Sequence, residues 1–356
     1  MAHPALDPPL LTADLPGVGG RIKERVEDFD VEEIPAYEPS GAGDHLYLWI
    51  EKSGVGPEHL TRTIAQKVGV PVGAIGTAGL KDRHAITRQW VSVPKEAEPK
   101  LKAIDGDGIR VLNVSRHLNK LKPGHLRGNK FRVLIRDADA SKTEALAAVI
   151  GRVREHGMVN YYGPQRFGRE GSTIDLGFRC LAGKQSKRIR PFQYKFALSA
   201  VQSLLFNDYL ALRLVDGLSR EVIPGDVLMK WPGGGIFVAE DVPAEQTRFD
   251  NRETVTGGPM YGAHMYPSRG LAAEREAAVL RDNDLTIDAF SGFGKLMSGT
   301  RRHNLVYIDD LTAEWEPAGL RLAFTLPAGC YATVLLKEVM KAEAAGPEEP
   351  ADEDEP

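Results

Sequence analysis

Hydrophobic and polar positions follow two different periods along this chain, and these periods predict its elements. A period of two, or a short run of aliphatic and aromatic residues, predicts strands at residues 45–52, 86–93, 109–114, 130–136, 305–308 and 320–326. A helical period predicts helices at residues 57–68, 141–156, 192–215 and 271–281. Strands therefore cluster before residue 137 and after residue 304, and a helix-rich and loop-rich block separates them. This distribution predicts an α+β fold that is interrupted by an inserted domain.

Local signals refine three of these elements. Apolar residues are spaced to line an edge strand and its turn at Ile22, Phe29, Val31 and Ile34. Gly128-Asn129 is a turn signal before strand 130–136, which turns apolar residues to one side and basic residues to the other. An aromatic residue beside basic ones is able to stack a nucleobase, but a half-buried strand with a charged outer face explains the same pattern. Residues 141–144 (SKTE) form a capping box that opens a helix, and Gly157 follows its end.

The composition is typical of a globular enzyme. The chain has 356 residues, enough for a large core and two domains, with 42% hydrophobic and 26% charged residues. No apolar run approaches the ~20 residues of a membrane helix, and residues 1–20 lack the basic start of a secretory signal. Two cysteines, Cys180 and Cys330, form no disulfide or zinc pattern, and the nine histidines show no metal-ligand spacing. We therefore expect a cytoplasmic protein that uses no metal and contacts no membrane.

The distribution of charge is more informative than its sum. The net charge is −4, but the six acidic residues of segment 346–356 account for it, and without them the net charge is +2. That tail lacks large apolar residues and is predicted to be disordered. Segments 117–136 and 179–195 are strongly basic and contain no acidic residue. Such segments are typical of proteins that bind a phosphate backbone, although solvated charged faces have the same composition.

One loop carries candidate chemistry. In residues 78–90 (AGLKDRHAITRQW), Asp82 lies between Lys81 and Arg83 and directly precedes a predicted strand. Fixed positive charge within a few ångström favours the ionised form of a carboxylate. An ionised, positioned aspartate can act as a nucleophile, a base or a metal ligand. By itself the pattern fits a solvated or turn-forming loop residue as well.

A second loop follows the predicted end of a helix at Gly157. Residues 159–168 (VNYYGPQRFG) are dense in Tyr, Gly, Gln and Arg and poor in aliphatic residues. That composition suits a binding loop between domains. It suits an aromatic-packed structural turn equally well.

Five motifs, in order over most of the chain, resemble those of the TruD family of tRNA pseudouridine synthases. They are Glu27-Asp28-Phe29 with Lys23 upstream, residues 79–84 (GLKDRH), 128–131 (GNKF), 160–168 (NYYGPQRFG) and 326–333 (LPAGCYAT). The motif around Asp82 and the motif at 160–168 are each fairly specific. Val26 stands where the family usually has proline, and Cys330 where it has a small polar residue. Neither departure removes a residue that the family assigns to chemistry.

The resemblance implies isomerisation of uridine to pseudouridine in RNA, typically at position 13 of tRNA, without a cofactor or metal. It implies a catalytic domain with a mixed, mostly antiparallel sheet, interrupted by an inserted α/β TRUD domain. We place the first part of the catalytic domain at residues 1–156, the insertion at 157–300, the second part at 301–345 and the acidic tail at 346–356. We expect the protein to act on tRNA as a monomer.

The resemblance also implies roles for individual residues. Asp82 matches the catalytic aspartate, Lys23 the basic residue of the active site, and Phe29, Asn129 and Phe131 residues that line the pocket. We assign Lys81 to substrate binding as well. Gln165 and Arg166 are expected to bind RNA in a cleft between the two domains.

Two other functions are consistent with part of the sequence. A non-catalytic RNA-binding protein would need the basic segments and residues 160–168 but not Asp82. A nucleoside hydrolase would use Asp82 together with a metal or a second carboxylate, and no such group is evident in the sequence. Retention of Lys81-Asp82-Arg83 favours the synthase.

Overall fold

The computed structural model describes residues 6–168, 171–184 and 189–342 of the chain. The predicted acidic tail at 346–356, and Lys187 and Arg188 of the second basic segment, lie outside the described residues. The described chain forms two compact units. The sheet unit contains residues 15–151, 308–329 and the chain from 339, and the insertion unit contains residues up to 14, 152–307 and 330–338.

The elements follow one another along the chain in three groups. The first group is β1 (Phe29–Pro35), β2 (His45–Ser53), α1 (Pro57–Val68), β3 (Gly76–Thr77), β4 (Ile86–Pro94), β5 (Ile109–His117), β6 (Leu126–Ile135) and α2 (Thr143–His156). The second group is β7 (Met158–Val159), α3 (Ser172–Leu181), α4 (Pro191–Val215), β8 (Val227–Lys230), β9 (Ile236–Val238), α5 (Val242–Asp250), β10 (Thr254–Met260), α6 (Gly270–Asp282), β11 (Thr300–His303) and β12 (Leu305–Val306). The third group is β13 (Thr312–Glu316), β14 (Gly319–Pro327) and α7 (Ala332–Met340).

The described part of the sheet unit contains an eight-stranded sheet. Its order is β13-β14-β6-β1-β4-β2-β5, and β3 pairs with β4. The β1–β4 pair is parallel, and the remaining pairs of this sheet are antiparallel. The predicted α+β class, with a mixed and mostly antiparallel sheet, is therefore confirmed.

Helix α1 covers one face of this sheet. Leu46, Leu48 and Ile50 of β2 alternate toward the helix and form one buried cluster with Leu60 and Ile64. The helix begins at Pro57, as proline at a first helical position favours. It ends where Gly69 adopts a left-handed conformation with φ of 77°.

The insertion unit has its own layers. Within its described residues, an antiparallel sheet has the order β11-β10-β8-β9, and β7 pairs with β12. Helices α3 and α4 pack closely, because a Cβ at Gly177 would lie 2.4 Å from the carbonyl oxygen of Ala197. The sequence-based domain boundaries stay a prediction, and the one between residues 300 and 301 falls inside β11, which pairs with β10.

Three local predictions were wrong. β1 is not an edge strand, because it pairs with β4 on one side and β6 on the other. Gly128-Asn129 is not a turn: it lies inside β6, where a Cβ on Gly128 would sit 2.3 Å from the Leu326 carbonyl oxygen of β14. The cap before α2 is Asp139 rather than Ser141, since the Asp139 carboxylate accepts the backbone N–H and the hydroxyl of Ser141.

Candidate active site

Three neighbouring strands and one loop bring most of the predicted site residues together. Phe29 begins β1, and Asn129 and Phe131 lie on β6 beside it. Asp82 lies in the loop between β3 and β4, and β4 is the other neighbour of β1. Lys23 lies shortly before β1 in the chain. The site is therefore built around the centre of the sheet.

Lys23 and Asp82 form an ion pair. The Lys23 Nζ lies 3.4 Å from Asp82 Oδ2 and 4.5 Å from the centre of the Phe29 ring. The Asp82 side chain is 45% exposed, whereas the Lys23 side chain is 16% exposed. The carboxylate is thus open to a substrate, while the cation beside it is largely fixed by protein. This arrangement orients the carboxylate.

The segment that carries Lys23 is itself held in place. Lys23 has a left-handed backbone with φ of 56°, which is uncommon for a residue other than glycine. Downstream, Asp28 accepts two hydrogen bonds from the Arg136 guanidinium, at 2.7 and 2.8 Å, and one from the Arg25 N–H at 2.9 Å. Burial would raise the pKa of Asp28, but these hydrogen bonds outweigh burial and lower the pKa below its usual value. Asp28 therefore anchors the turn between Lys23 and Phe29 as an anion.

Aromatic rings form a wall of the site. Phe131 meets Phe29 edge to face, with ring centres 6.1 Å apart, and stacks on Phe324 of β14 with centres 5.2 Å apart. Phe324 is directly opposite Phe131 in the β6–β14 register. One face of the Phe131 ring is therefore covered by protein, and the stack fixes the plane of the ring.

Asn129 supplies an unused acceptor on the same face. Residues 129 and 131 lie two apart on β6, so their side chains share one side of the sheet. The Asn129 Oδ1 is buried, and no donor among the described residues reaches it. Buried polar atoms are nearly always paired, and exceptions are frequent at functional sites. This oxygen is placed to accept a hydrogen bond from a ligand.

Lys81 is turned toward the interior instead of toward Asp82. Its Nζ lies 2.9 Å from Glu33 Oε2, and both side chains are buried. The other Glu33 oxygen accepts the Trp90 N–H at 3.3 Å. The expectation that Lys81 supplies the charge beside Asp82 is corrected, because Lys23 fills that place and Lys81 ties the loop to β1. A role for Lys81 in binding substrate stays a prediction.

Lys52 was missed by the sequence-based assignment. Its side chain is fully buried at the end of β2. Its Nζ donates to the backbone carbonyls of Asp82 and Val55, both at 2.6 Å, and to that of Lys81 at 3.3 Å. The signal was present, since Lys52 continues the inward alternation of the apolar residues before it in β2. A cation at such a position demands internal partners, and here two of them belong to the Asp82 loop.

Gln165 and Arg166 belong to the insertion unit. Gln165 Oε1 accepts the Thr333 hydroxyl at 3.2 Å. Arg166 donates to the hydroxyls of Ser199 and Ser203 at 2.7 and 3.2 Å. Their part in RNA binding stays a prediction.

Metal binding and membrane crossing are two further properties that bear on function. The described residues contain no group of three or more His, Cys, Asp or Glu side chains arranged to hold a metal ion. The use of no metal nevertheless stays a prediction. Over the same part of the chain, no helix has the length and apolar character needed to cross a membrane.

The fold is that of a known class of RNA-modifying enzyme. A solved structure described as tRNA pseudouridine synthase D (TruD) from Methanosarcina mazei superposes with a TM-score of 0.76. The match covers 96% of this chain and 97% of that chain, with 23% sequence identity. At this identity the likeness defines the fold.

Sequence similarity defines the family. The family model of TruD, tRNA pseudouridine synthase D, matches residues 5–190 and 188–339. The tRNA pseudouridine synthase D of an Anaeromyxobacter species is 42% identical over 98% of this chain and 99% of its own. That of a Thermus thermophilus strain is 44% identical over 97% of this chain and 96% of its own. The chain belongs to the TruD family and is an enzyme of the isomerase class.

Proposed function

We propose that this protein isomerises uridine to pseudouridine at position 13 of tRNA, with Asp82 as the catalytic nucleophile. The observation that carries the proposal is the solvent-accessible Asp82 carboxylate paired with Lys23 beside the Phe29 and Phe131 rings. Family membership supports it, since relatives 42% and 44% identical are named tRNA pseudouridine synthase D. Position 13 follows from the resemblance of the motifs.

The reaction requires three events at one site. The bond from N1 of uracil to C1′ of the ribose breaks, the base rotates while it is held, and C5 bonds to C1′ as its hydrogen leaves. An ionised Asp82 can attack C1′, can assist departure of uracil to give a glycal, or can add to C6 of the base. Each route uses a carboxylate that is accessible and oriented, as this one is.

The neighbouring side chains suit a base that must turn without escaping. Phe131, stacked on Phe324, offers a rigid apolar surface to the uracil plane and permits rotation within that plane. The unpaired Asn129 Oδ1 is suited to accept the N3–H of uracil. Lys23 orients the carboxylate and stabilises its charge.

The target uridine must leave its stack to reach Asp82, at a cost of a few kcal/mol. We propose that the basic segments 117–136 and 179–195, with Gln165 and Arg166, offset this cost through contacts to the tRNA backbone. Two free cysteines, Cys180 and Cys330, fit a reduced compartment, so we propose action in the cytoplasm. We expect a monomer, which size-exclusion chromatography would test.

The deciding experiment is tritium release from tRNA labelled at C5 of uridine. The C5 hydrogen leaves when C5 bonds to the sugar, so we expect release by wild type and none by Asp82→Asn, with tRNA binding kept. A matched control is Asp44→Asn, because the Asp44 carboxylate is 77% exposed and pairs with Lys95 on the surface. A tRNA with cytidine at position 13 should release nothing from that position.

The outcomes separate the candidate functions. Near wild-type turnover by Asp82→Asn would refute the nucleophile assignment. No release with tight tRNA binding would favour an RNA-binding protein, and free uracil among the products would favour a nucleoside hydrolase.

A further inference from the structure

A column of stacked aromatic rings and guanidinium groups runs through the insertion unit. Its members, from one end to the other, are Phe192, Phe196, Arg166, Tyr162, Arg302 and Phe206. Phe192 and Phe196 stack with ring centres 6.0 Å apart and planes 12° apart. The Arg166 guanidinium lies 4.7 Å from the Phe196 ring and 5.9 Å from the Tyr162 ring. The Arg302 guanidinium lies 4.1 Å from the Tyr162 ring and 5.5 Å from the Phe206 ring.

The inner part of this stacked column is fixed by hydrogen bonds. Arg302 donates to Asn160 Oδ1 at 2.7 Å, and Arg166 donates to the hydroxyls of Ser199 and Ser203 on α4. Phe206 is fully buried. The inner rings and guanidinium groups are therefore held in place before any ligand arrives, and Phe192 stacks on the outermost of them, Phe196. A fixed support of this kind lowers the entropy cost of binding at the column's end.

The outer end of the column is open. Phe192 is 73% exposed, although it is a large apolar residue and stacks on Phe196 one helical turn further along. A single exposed ring is too small an apolar area for a protein interface, whose core usually gathers several buried side chains. A flat, isolated and preorganised ring instead matches the face of one nucleobase.

The charged residues near Phe192 in the sequence match a nucleic-acid partner. Four basic residues accompany it in the described part of segment 179–195: Arg179, Lys184, Arg190 and Lys195. Lys195 is three residues after Phe192 on α4 and so lies on the same side of the helix. No acidic residue occurs in this segment. An aromatic ring among cations is the combination that binds unpaired bases and their phosphates.

We propose that the open face of Phe192 stacks an unpaired nucleobase of the RNA substrate, while Arg190 and Lys195 contact adjacent phosphates. The proposal rests on the proposed function for the identity of the RNA. It adds a base-binding position on the insertion unit that is separate from the uracil position at Asp82.

The test compares Phe192→Ala, Phe192→Leu and Phe192→Trp in the full-length enzyme. The matched control is Val215→Ala, since Val215 is also 73% exposed but lies at the opposite end of α4. Equilibrium binding is measured with a tRNA transcript and with a single-stranded oligouridine as probe. The kcat and KM for tritium release are measured in parallel.

We expect Phe192→Ala and Phe192→Leu to weaken RNA binding and raise KM by about 5- to 150-fold, the range for loss of one base–aromatic stack. We expect kcat at saturating tRNA to be unchanged. Phe192→Trp should bind at least as tightly as wild type, because its larger ring stacks as well, and Val215→Ala should bind like wild type. Lys195→Ala should reduce the slope of log affinity against log salt concentration by about 1, as expected for loss of one phosphate contact. Phe192→Ala should leave this slope unchanged.

Three outcomes would overturn the proposal. The first is an RNA affinity of Phe192→Ala within twofold of wild type. The second is an unchanged affinity of Phe192→Leu, which would show an apolar contact without stacking. The third is a loss of affinity in Val215→Ala equal to that in Phe192→Ala. Because binding to oligouridine needs no isomerisation, a failed synthase assay with a positive binding result would refute the proposed function alone.

Discussion

Replacement of Lys52 by methionine tests how the Asp82 loop is held. The change keeps an unbranched side chain but removes the ammonium that donates to the carbonyls of Asp82, Lys81 and Val55. Each of the three carbonyls that lose this donor costs about 1–3 kcal/mol, so the gross loss is about 3–9 kcal/mol. Removal of a buried charge recovers part of its desolvation cost, which is several kcal/mol. We therefore expect a net loss of about 1–3 kcal/mol in the free energy of unfolding, too little to unfold a typical domain.

The expected effect on catalysis is larger than the effect on stability. Without its tether, the Asp82 backbone is free to move, and a displacement of ~1 Å at a reacting group costs about 100-fold in rate. We expect single-turnover tritium release to fall by about 100-fold, with the Kd for tRNA changed by less than about threefold. Urea unfolding, followed in parallel, gives the change in stability.

Lys67→Met is the matched control for this variant. Lys67 Nζ also donates to a backbone carbonyl, that of Ile104 at 3.2 Å, but it does so from α1 and does not reach the Asp82 loop. It should lose stability without losing turnover. A folded Lys52→Met enzyme with a rate within threefold of wild type would refute the view that Lys52 positions the catalytic loop.

Three further changes test other parts of the sheet unit. Lys23→Met should leave the free energy of unfolding within about 1 kcal/mol of wild type, because Asp82 is half exposed and solvent screens the ion pair. It should nevertheless lower kcat at least about tenfold, and an unchanged kcat would show that Lys23 has no part in the reaction. Phe131→Ala should weaken turnover less than Asp82→Asn does, and the reverse order in the same assay would argue against stacking. Asp28 has a lowered pKa, so its contribution to stability is present above the unfolded value of about 4 and is lost as pH falls below it. In urea titrations between pH 7 and 3, Asp28→Asn should be less stable than wild type at pH 7, and its free energy of unfolding should fall less as the pH is lowered. An equal fall in both proteins would exclude the Asp28–Arg136 pair as its source.

Periodicity in the sequence placed helices α1, α2, α4 and α6 and strands β2, β4, β5, β6, β12 and β14. It missed α3, α5 and the strands β8 to β11 of the insertion unit. The alternation in 45–52 and 86–93 identified β2 and β4, because one face of each packs on α1 and must be apolar. The same reasoning misplaced β1. Its charged residues suggested an edge, but Asp30 pairs with Arg88 of β4 and Glu33 with Lys81. Charges on a central strand are tolerated when the neighbouring strand or loop supplies partners, and those partners are distant in sequence.

The candidate site was predicted only in part, again because some partners of its residues are distant in sequence. Motif resemblance named Lys23, Asp82, Asn129 and Phe131, and the structure brings these residues to one region of the sheet unit. The sequence alone could not show that Lys81 turns inward to Glu33. That orientation depends on a carboxylate that lies 48 residues earlier in the chain. Lys52 was overlooked because a lysine in a strand is usually on the surface, and only strand pairing reveals that this one is buried.

The position of β14 in the sheet has a consequence for synthesis of the protein on the ribosome. β14 covers the outer edge of β6 and supplies Phe324 beneath Phe131, but residues 136–318 separate the two strands. At about 5–20 residues per second, the ribosome needs about 10–40 s to make that segment. Throughout this interval β6 has an unpaired edge, which is a template for aggregation. The aromatic wall of the candidate active site is therefore completed only near the end of translation. A chain that ends before β14 has every predicted site residue but lacks Phe324 beneath Phe131.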